Sequence, residues 1–289
     1  MKRGFIVLFT LLISWPALAQ TGSEILLFDL QIKKNKVTLS HPKNVTNHKG
    51  YDNQPSFHAD MPLVYYSSFN DEGRADIKSY NYKTGTTQSI TQTTEREYSP
   101  TLTPDKQSLS CIIQRDNGAQ DLGKYPVEGG EASVIINNLI VGYHVWADNS
   151  HLALFVLGDP NTLHYLRLPT KEDTVIAENI GRSLHKVPGE RAISFVHKVS
   201  ATEWLIKKLN TETMQVTTIT NTLPGREDIA WSANGKIISS DGTDVFYFDT
   251  VKEKKWVRAT VVDDSDKLKG VTRIAVNAKG DKIALVVAE

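Results

Sequence analysis

Apolar and polar positions repeat along the chain with a period of about 45 residues. An apolar residue precedes a polar turn in five of the six copies, and an aliphatic residue follows the turn in all six; the clearest copy runs from Tyr98 to Ile112. The copies can be aligned on Ala59, Pro104, Ala147, Pro188, Ala233 and Ala278, at spacings of 45, 43, 41, 45 and 45 residues. Asp, Asn and Gly are frequent in the turns, as expected for tight connections. The pattern predicts a β-hairpin in every copy.

A second pattern follows each hairpin, in which a polar or acidic residue directly precedes another apolar run. Asp76-Ile77, Asp121-Leu122 and Asp244-Val245 are examples, and each run leads into a turn and a more polar strand. Every copy therefore predicts four short antiparallel strands. A lone sheet of this kind leaves two partly apolar faces exposed, and radial stacking of the sheets covers them. We predict an all-β fold, a six-bladed β-propeller with four antiparallel strands per blade.

The last copy is incomplete, because the chain ends at Glu289 after only two of its strands. The missing strands are present at the front of the chain. Glu24-Ile25 begins a run that matches a third strand, and KVTLSHPKNVT (residues 36–46) matches a fourth. We predict that these N-terminal strands complete the last blade and close the ring.

The first 19 residues have the features of a secretory signal peptide. Lys2 and Arg3 precede the apolar stretch FIVLFTLLI, and a small-x-small cleavage site follows at residues 17–19. The stretch is far shorter than the ~20 residues of a membrane span, and the only cysteine, Cys111, lies too far along the chain for lipidation. We expect removal of residues 1–19 and export of residues 20–289, a single propeller domain, to a periplasm.

Charge and motifs exclude several function classes. The chain has 33 Lys and Arg against 33 Asp and Glu, so no global field attracts it to nucleic acid or to an anionic membrane. No Gly-x-Ser-x-Gly elbow, Walker loop or Gly-x-Gly-x-x-Gly is present. Serine-hydrolase and nucleotide-binding functions therefore lack their usual motifs.

Several segments resemble the six-bladed propeller of TolB and the wider group of WD40-like PD40 repeats. The segments are LTPDKQSLSCI, FHADMPLVYY, WSANGKIISS, DLGKYPVEGGE and DIKSYNYKTGTT, and the resemblance extends from Glu24 to Glu289. It implies a periplasmic, non-catalytic scaffold, here expected to be a monomer, that binds an envelope protein or peptide. TolB carries an α/β domain ahead of its propeller, whereas the first strand predicted here begins a few residues after the cleavage site. The fourth blade departs from the pattern at Lys186 and Gly189.

Candidate binding residues lie on one face of the predicted disc. In propellers the first strand of each blade lines a central channel. The loops entering these strands, together with the loops between second and third strands, form what we call the funnel face. The candidates on this rim are Tyr51, Asp52, Glu97, Arg182, Arg226 and Asp228. Their mixed charges suit a protein or peptide partner, although loop residues are also polar simply because they are solvated.

Three histidines raise an alternative function. His144 and His185 each stand three residues before an aligned position, on neighbouring inner strands, and His58 stands one residue before its own. Imidazoles can hold a transition metal, and the related oligogalacturonate lyases use a histidine-held metal in this funnel. The alternative is thus a metal-assisted lyase or hydrolase acting on oligosaccharides with one transition-metal ion. We favour the interpretation that these histidines are polar residues lining the channel and that the protein binds no cofactor, because no closely spaced metal-binding motif such as His-x-His is present.

Overall fold

The computed structural model describes residues 22–34, 36–263 and 268–289, and the predicted signal peptide lies outside these ranges. All regular elements in the described ranges are β-strands, which form six sheets. No helix in these ranges is long and apolar enough to cross a membrane. The prediction of an all-β, six-bladed propeller is confirmed.

Five blades follow one another along the chain, each with its innermost strand first and its strands antiparallel in sequence order. Blade 1 contains β3 (Asp52–Phe57), β4 (Leu63–Phe69), β5 (Ala75–Asn81) and β6 (Thr86–Ser89). Blade 2 contains β7 (Arg96–Leu102), β8 (Ser108–Gln114), β9 (Gln120–Pro126) and β10 (Ser133–Ile136). Blade 3 contains β11 (Val141–Trp146), β12 (His151–Val156), β13 (Thr162–Arg167) and β14 (Glu172–Glu178).

The next two blades have the same order of strands. Blade 4 contains β15 (Ile180–Lys186), β16 (Ala192–Lys198), β17 (Trp204–Asn210) and β18 (Val216–Asn221). Blade 5 contains β19 (Ile229–Trp231), β20 (Lys236–Ser240), β21 (Val245–Asp249) and β22 (Glu253–Arg258).

Blade 6 joins the two ends of the chain. Its strands are β24 (Arg273–Val276), β25 (Lys282–Ala288), β1 (Ser23–Lys33) and β2 (Lys36–Asn44), and β23 (Thr260–Val261) adds a parallel fifth strand beside β2. Strand β1 pairs antiparallel with β25, and Phe28 lies opposite Ile283 with both side chains fully buried. The predicted closure of the ring by N-terminal strands is confirmed.

The core lies between the blades. One aliphatic residue follows the aligned position by five residues in every copy, and all six side chains are buried: Val64, Leu109, Leu152, Ile193, Ile238 and Ile283. They belong to apolar clusters whose members come from two neighbouring blades, as in the cluster containing Leu122 of blade 2 and Leu154 of blade 3. Radial stacking therefore buries both faces of each sheet, as the apolar pattern predicts.

The first hairpin of blade 3 differs in length from that of blade 2. Thr103 N donates to Ser108 O at 2.8 Å, whereas the matching bond in blade 3 joins Ala147 N to His151 O at 2.9 Å. The blade 3 turn is thus one residue shorter. In β11 it is Trp146 that lies opposite Leu152, as Leu102 lies opposite Leu109 in blade 2. The sequence alignment in blade 3 was therefore one residue out of register, which changes which residues of β11 correspond to channel positions elsewhere.

Candidate functional site

The inner strands of all six blades surround a central channel with a cavity of about 580 Å³. The strands are β3, β7, β11, β15, β19 and β24, and residues at or next to each of them line the cavity. Register shifts in the pairing of β3, β7, β11 and β15 with their neighbours mark bulges beside the channel. Bulges redirect side chains, so the side chains that face the channel do not follow the strict alternation of a regular strand.

One repeated position supplies a ring of mostly polar side chains to the channel. It lies five residues before the aligned position, once blade 3 is aligned on Asp148, and its occupants are Gln54, Ser99, Tyr143, Ser183, Asp228 and Arg273. All six residues line the cavity. The only charged members are Asp228 and Arg273, on neighbouring blades 5 and 6. The ring is therefore electrostatically asymmetric.

Two guanidinium groups share the carboxylate of Asp228. Arg182 donates from Nη2 to Asp228 Oδ2 at 2.8 Å and from Nε to Oδ1 at 3.3 Å. Arg273 donates from Nη1 to Oδ1 of the same carboxylate at 3.2 Å and from Nη2 to the hydroxyl of Tyr143 at 2.9 Å. Side chains from blades 3, 4, 5 and 6 thus meet in one network at the funnel end of the channel.

Glu227 supports Arg182 from outside the cavity. Its Oε2 accepts from the backbone N of Arg182 at 3.0 Å and lies 3.1 Å from Lys198 Nζ. Burial opposes ionisation of this carboxyl, but Arg182 and Lys198 outweigh it and hold the pKa of Glu227 below its ordinary value. A Cβ on Gly181 would lie 2.5 Å from Glu227 Oε2, so glycine is needed for this close approach.

Three of the predicted rim residues are buried, and the expectation that they lie on an accessible rim is wrong. Asp52 is 1% exposed, with His48 Nδ1 at 3.4 Å from its Oδ2, and Tyr51 packs against Phe69 with ring centroids 4.8 Å apart. Burial raises the pKa of both Tyr51 and Asp52. These residues begin the first strand of blade 1 against the closing N-terminal strand, where the chain passes inside rather than over the surface.

Glu97 is the third of these buried residues, with 0% exposure. Its carboxylate accepts from Thr93 Oγ1 at 2.5 Å, Tyr125 Oη at 3.0 Å and Thr91 Oγ1 at 3.1 Å. Burial raises the pKa of Glu97 in spite of these donors. Glu97 and Asp52 occupy the same position of their blades, seven residues before the aligned position, so this position is part of the interior in blades 1 and 2.

The other three rim residues differ in exposure. Arg182 and Asp228 are partly exposed and belong to the channel network described above. Arg226 is exposed and donates to the backbone O of Asp241 in the same blade. The structure brings Arg182 and Asp228 together, and it brings in Arg273 and Tyr143, which sequence reasoning missed. Comparison of the fifth residue before every aligned position would have revealed Asp228 and Arg273 as the two charges of the ring.

The three histidines lie in separate environments. His144 Nε2 lies 2.7 Å from Ser110 Oγ of blade 2, and His185 Nε2 lies 3.0 Å from Ser183 Oγ of its own strand. The corrected register matches His185 with Val145, so the prediction that His144 and His185 are equivalent is wrong. Burial lowers the pKa of His144 to about 3 and that of His185 to about 4, so both rings are neutral at pH 7.

His58 belongs to a hairpin turn rather than to the channel. Its Nδ1 accepts from the backbone N of Met61 at 2.9 Å and of Asp60 at 3.0 Å. At the corresponding positions of blades 2 and 5, Thr103 Oγ1 accepts from the backbone N of Ser108 and Ser232 Oγ accepts from that of Lys236, at the far end of each turn. Among the described residues, no group of three or more His, Cys, Asp or Glu is arranged to hold a metal. The donor set present does not fit the transition-metal ion of the alternative hypothesis.

The funnel face has two chemically different sides. Near blades 1 and 2, Asp116 accepts from Arg74 Nη2 at 2.8 Å and from Arg96 Nη1 at 2.7 Å, so this side is charged. Near blade 3, the exposed side chains of Ile140 and Leu157 are adjacent, because Leu157 N donates to Ile140 O at 2.8 Å. We call this second area the apolar lip. It lies on the blade that contributes Tyr143 to the channel network.

Solved structures share this fold, although no protein-family model and no curated protein sequence matches the chain. A putative TolB from Agrobacterium tumefaciens has a TM-score of 0.71 at 14% identity, over 94% of this chain and 99% of that one. This is a TolB-like β-propeller fold. TolB from Acinetobacter baumannii has a TM-score of 0.56 at 14% identity, over 91% of this chain and 63% of that one.

The similarity also extends to an enzyme of this architecture. An oligogalacturonate lyase in complex with manganese has a TM-score of 0.59 at 13% identity, over 94% of this chain and 99% of that one. At identities this low the similarity shows the fold alone. Function must be argued from the residues that this TolB-like propeller presents in its channel and on its funnel face.

Proposed function

We propose that this protein is an exported, non-catalytic binding module of the periplasm, a monomer that engages a protein or peptide partner through the funnel face and the channel mouth. The observation that carries the proposal is the network of Arg182, Asp228 and Arg273 at the funnel end of the channel. Charged groups at a concave mouth, beside exposed apolar side chains, are the combination expected of a recognition site.

The position of the apolar lip supports the same function. Ile140 and Leu157 are 55% and 42% exposed, and they belong to blade 3, whose Tyr143 hydroxyl accepts a hydrogen bond from Arg273. A partner segment that enters the channel mouth would therefore pass over an apolar surface. Burial of such side chains contributes affinity, whereas the charges set orientation and association rate.

Site-specific photo-crosslinking in the cells that make the protein tests this function. A photoreactive phenylalanine analogue at Leu157 should give a covalent adduct with one dominant periplasmic or envelope protein, identified by mass spectrometry. The same analogue at Thr213, an exposed turn residue between β17 and β18 at the opposite end of its sheet, is the control and should give no such adduct. Equal adducts at both positions, or none at Leu157, would refute partner binding through the funnel face.

A further inference from the structure

The described residues that line the channel have an excess of positive charge. Three cations line the cavity, Arg182, Lys186 and Arg273, and Asp228 supplies the one carboxylate among the lining residues. His144 and His185 add no charge at pH 7, because burial lowers both pKa values. The chain as a whole is neutral, so this excess is a local property of the channel. A confined cavity with one sign of charge concentrates ligands of the opposite sign.

The guanidinium groups also keep donors that the protein does not use. A guanidinium has five N–H donors. Within the described part of the chain, Nη1 of Arg182 and Nε of Arg273 make no hydrogen bond. The two side chains are 31% and 16% exposed, so a ligand can reach them. Paired guanidinium groups suit a carboxylate, which accepts two parallel hydrogen bonds.

The residues around the two arginines favour a peptide as the ligand that supplies this carboxylate. Ile274, Leu184 and Trp231 contribute apolar wall to the cavity, and the apolar lip lies outside its mouth. A polyanion such as nucleic acid would place many charges against these apolar surfaces without partners, at a desolvation cost. A peptide with one acidic residue beside apolar residues matches both parts of the surface.

We infer that the channel mouth is a carboxylate-binding site, in which Arg182 and Arg273 hold an acidic residue of a partner peptide while neighbouring apolar residues contact the lip. This inference rests on the proposed function and adds the chemistry of the partner to it. Asp228 then has a second role, because it positions both guanidinium groups and reduces their charge, which keeps binding reversible.

Selection of displayed peptides tests the inference without knowledge of the partner. A library of random linear peptides on phage is selected on the purified full-length mature protein and, in parallel, on its Arg273→Gln variant. We expect Asp or Glu to be enriched at one position of the peptides that bind the wild-type protein, and this enrichment to be absent for Arg273→Gln. Arg191→Gln removes an exposed arginine that pairs with Glu212 on the surface and is the matched control; it should select the same peptides as the wild type.

Calorimetry on one selected peptide completes the test. Its Glu→Gln or Asp→Asn version should bind at least about tenfold more weakly, the loss expected for a charge-assisted hydrogen-bonded pair. Asp228→Asn should bind the acidic peptide more tightly, because it removes the one carboxylate charge from the channel while its amide oxygen still accepts hydrogen bonds from the guanidinium groups. Poor folding could explain a loss of binding in Arg273→Gln, but it cannot explain tighter binding. A gain in Asp228→Asn would therefore show that the charges in the channel control the affinity.

The outcomes separate this inference from the proposed function. Peptides that bind the mature protein without an acidic residue, or equally well to Arg273→Gln, would overturn the carboxylate site and leave peptide binding intact. Binding of glutarate, a free dicarboxylate, in the absence of any selected peptide would overturn the peptide assignment. Failure to bind peptides and glutarate alike would overturn both proposals.

Discussion

The indole Nε1 of Trp231 in blade 5 donates to Ser194 Oγ in blade 4 at 2.8 Å, and Trp146 in blade 3 donates to Ser110 Oγ in blade 2 at the same distance. The two pairs occupy corresponding positions of their blades. Each tryptophan ends an inner strand and reaches across to the second strand of the preceding blade. The bond therefore joins blades to one another, in addition to the apolar packing that surrounds it.

Replacement of these serines should weaken the ring unequally. Ser110→Ala leaves the buried Trp146 Nε1 without its partner and also removes the contact with His144, so we expect a loss of about 1–3 kcal/mol in the free energy of unfolding. Ser194→Ala should cost about 1 kcal/mol, because its tryptophan is less buried. Urea unfolding followed by tryptophan fluorescence measures both losses.

Ser89→Ala is the control for these variants, since Ser89 is exposed on the outer strand of blade 1. It should leave the urea midpoint unchanged. If Ser110→Ala unfolded at the same urea concentration as the wild type, the hydrogen bonds between blades would make no net contribution to stability.

The closure of the ring should make its two ends interdependent. Deletion of residues 20–46 removes β1 and β2, and with them the partners of β25, including the fully buried Phe28. The remaining half-blade would expose its apolar face, so we expect loss of the cooperative thermal transition. A deletion variant that melted cooperatively at the full-length temperature would contradict this expectation. A milder version of the same test, Phe28→Ala, should cost about 3–5 kcal/mol.

Stability should fall in mild acid because of His144. Its pKa is about 3 in the folded protein, where burial disfavours the charged ring, against about 6.5 in an unfolded chain. As the pH falls below about 6.5, the unfolded chain gains a proton at this residue that the folded protein does not bind. His144 therefore contributes a decrease of about 2 kcal/mol in the free energy of unfolding at pH 5.

Urea midpoints at several pH values between 7.5 and 5 measure this effect. Glu97 and Asp52 act in the opposite direction, because their raised pKa values let the folded protein bind protons first. The comparison with His144→Gln isolates the histidine, since that variant should lose less stability than the wild type on acidification. Parallel pH curves for the two proteins would exclude His144 as the source.

The repeat predicts most of the fold because the residues that form it are the same in every blade. The aliphatic residue after each turn is buried in all six copies, and the acidic-then-apolar start of β1 matches the other third strands, which is why the closure could be predicted. Burial at the start of an inner strand was not predictable in this way. Tyr51, Asp52 and Glu97 appear in polar segments, and only the path of the chain between blades places them inside.

The channel network could be predicted only in part, because its geometry depends on register. A turn shorter by one residue in blade 3 moves Tyr143 into the ring of channel positions and moves His144 to face Ser110. The aligned spacing carried no sign of this shift, because both alignments leave an apolar residue before the turn. The sequence could have identified Arg273 as a channel residue. Its contacts with Asp228 and Tyr143 could not be predicted, because they depend on how the curvature of the ring brings blades 3, 5 and 6 together.

The last prediction concerns metal content, because it separates the binding module from the metal-assisted lyase or hydrolase. Three contacts meet at Ser110 Oγ: it accepts from Trp146 Nε1, donates to Thr101 O at 3.1 Å and lies 2.7 Å from His144 Nε2, an arrangement that favours the His144 tautomer with its proton on Nε2. The ligating lone pair of His144 is then on Nδ1, which is buried and has no partner among the described residues. His185 and His58 have contacts of their own elsewhere. Elemental mass spectrometry of tag-free mature protein, purified without chelator, should therefore find no stoichiometric transition metal. One ion per chain, lost in the His144→Ala/His185→Ala variant, would instead establish a metal site in the channel and support the oligosaccharide enzyme.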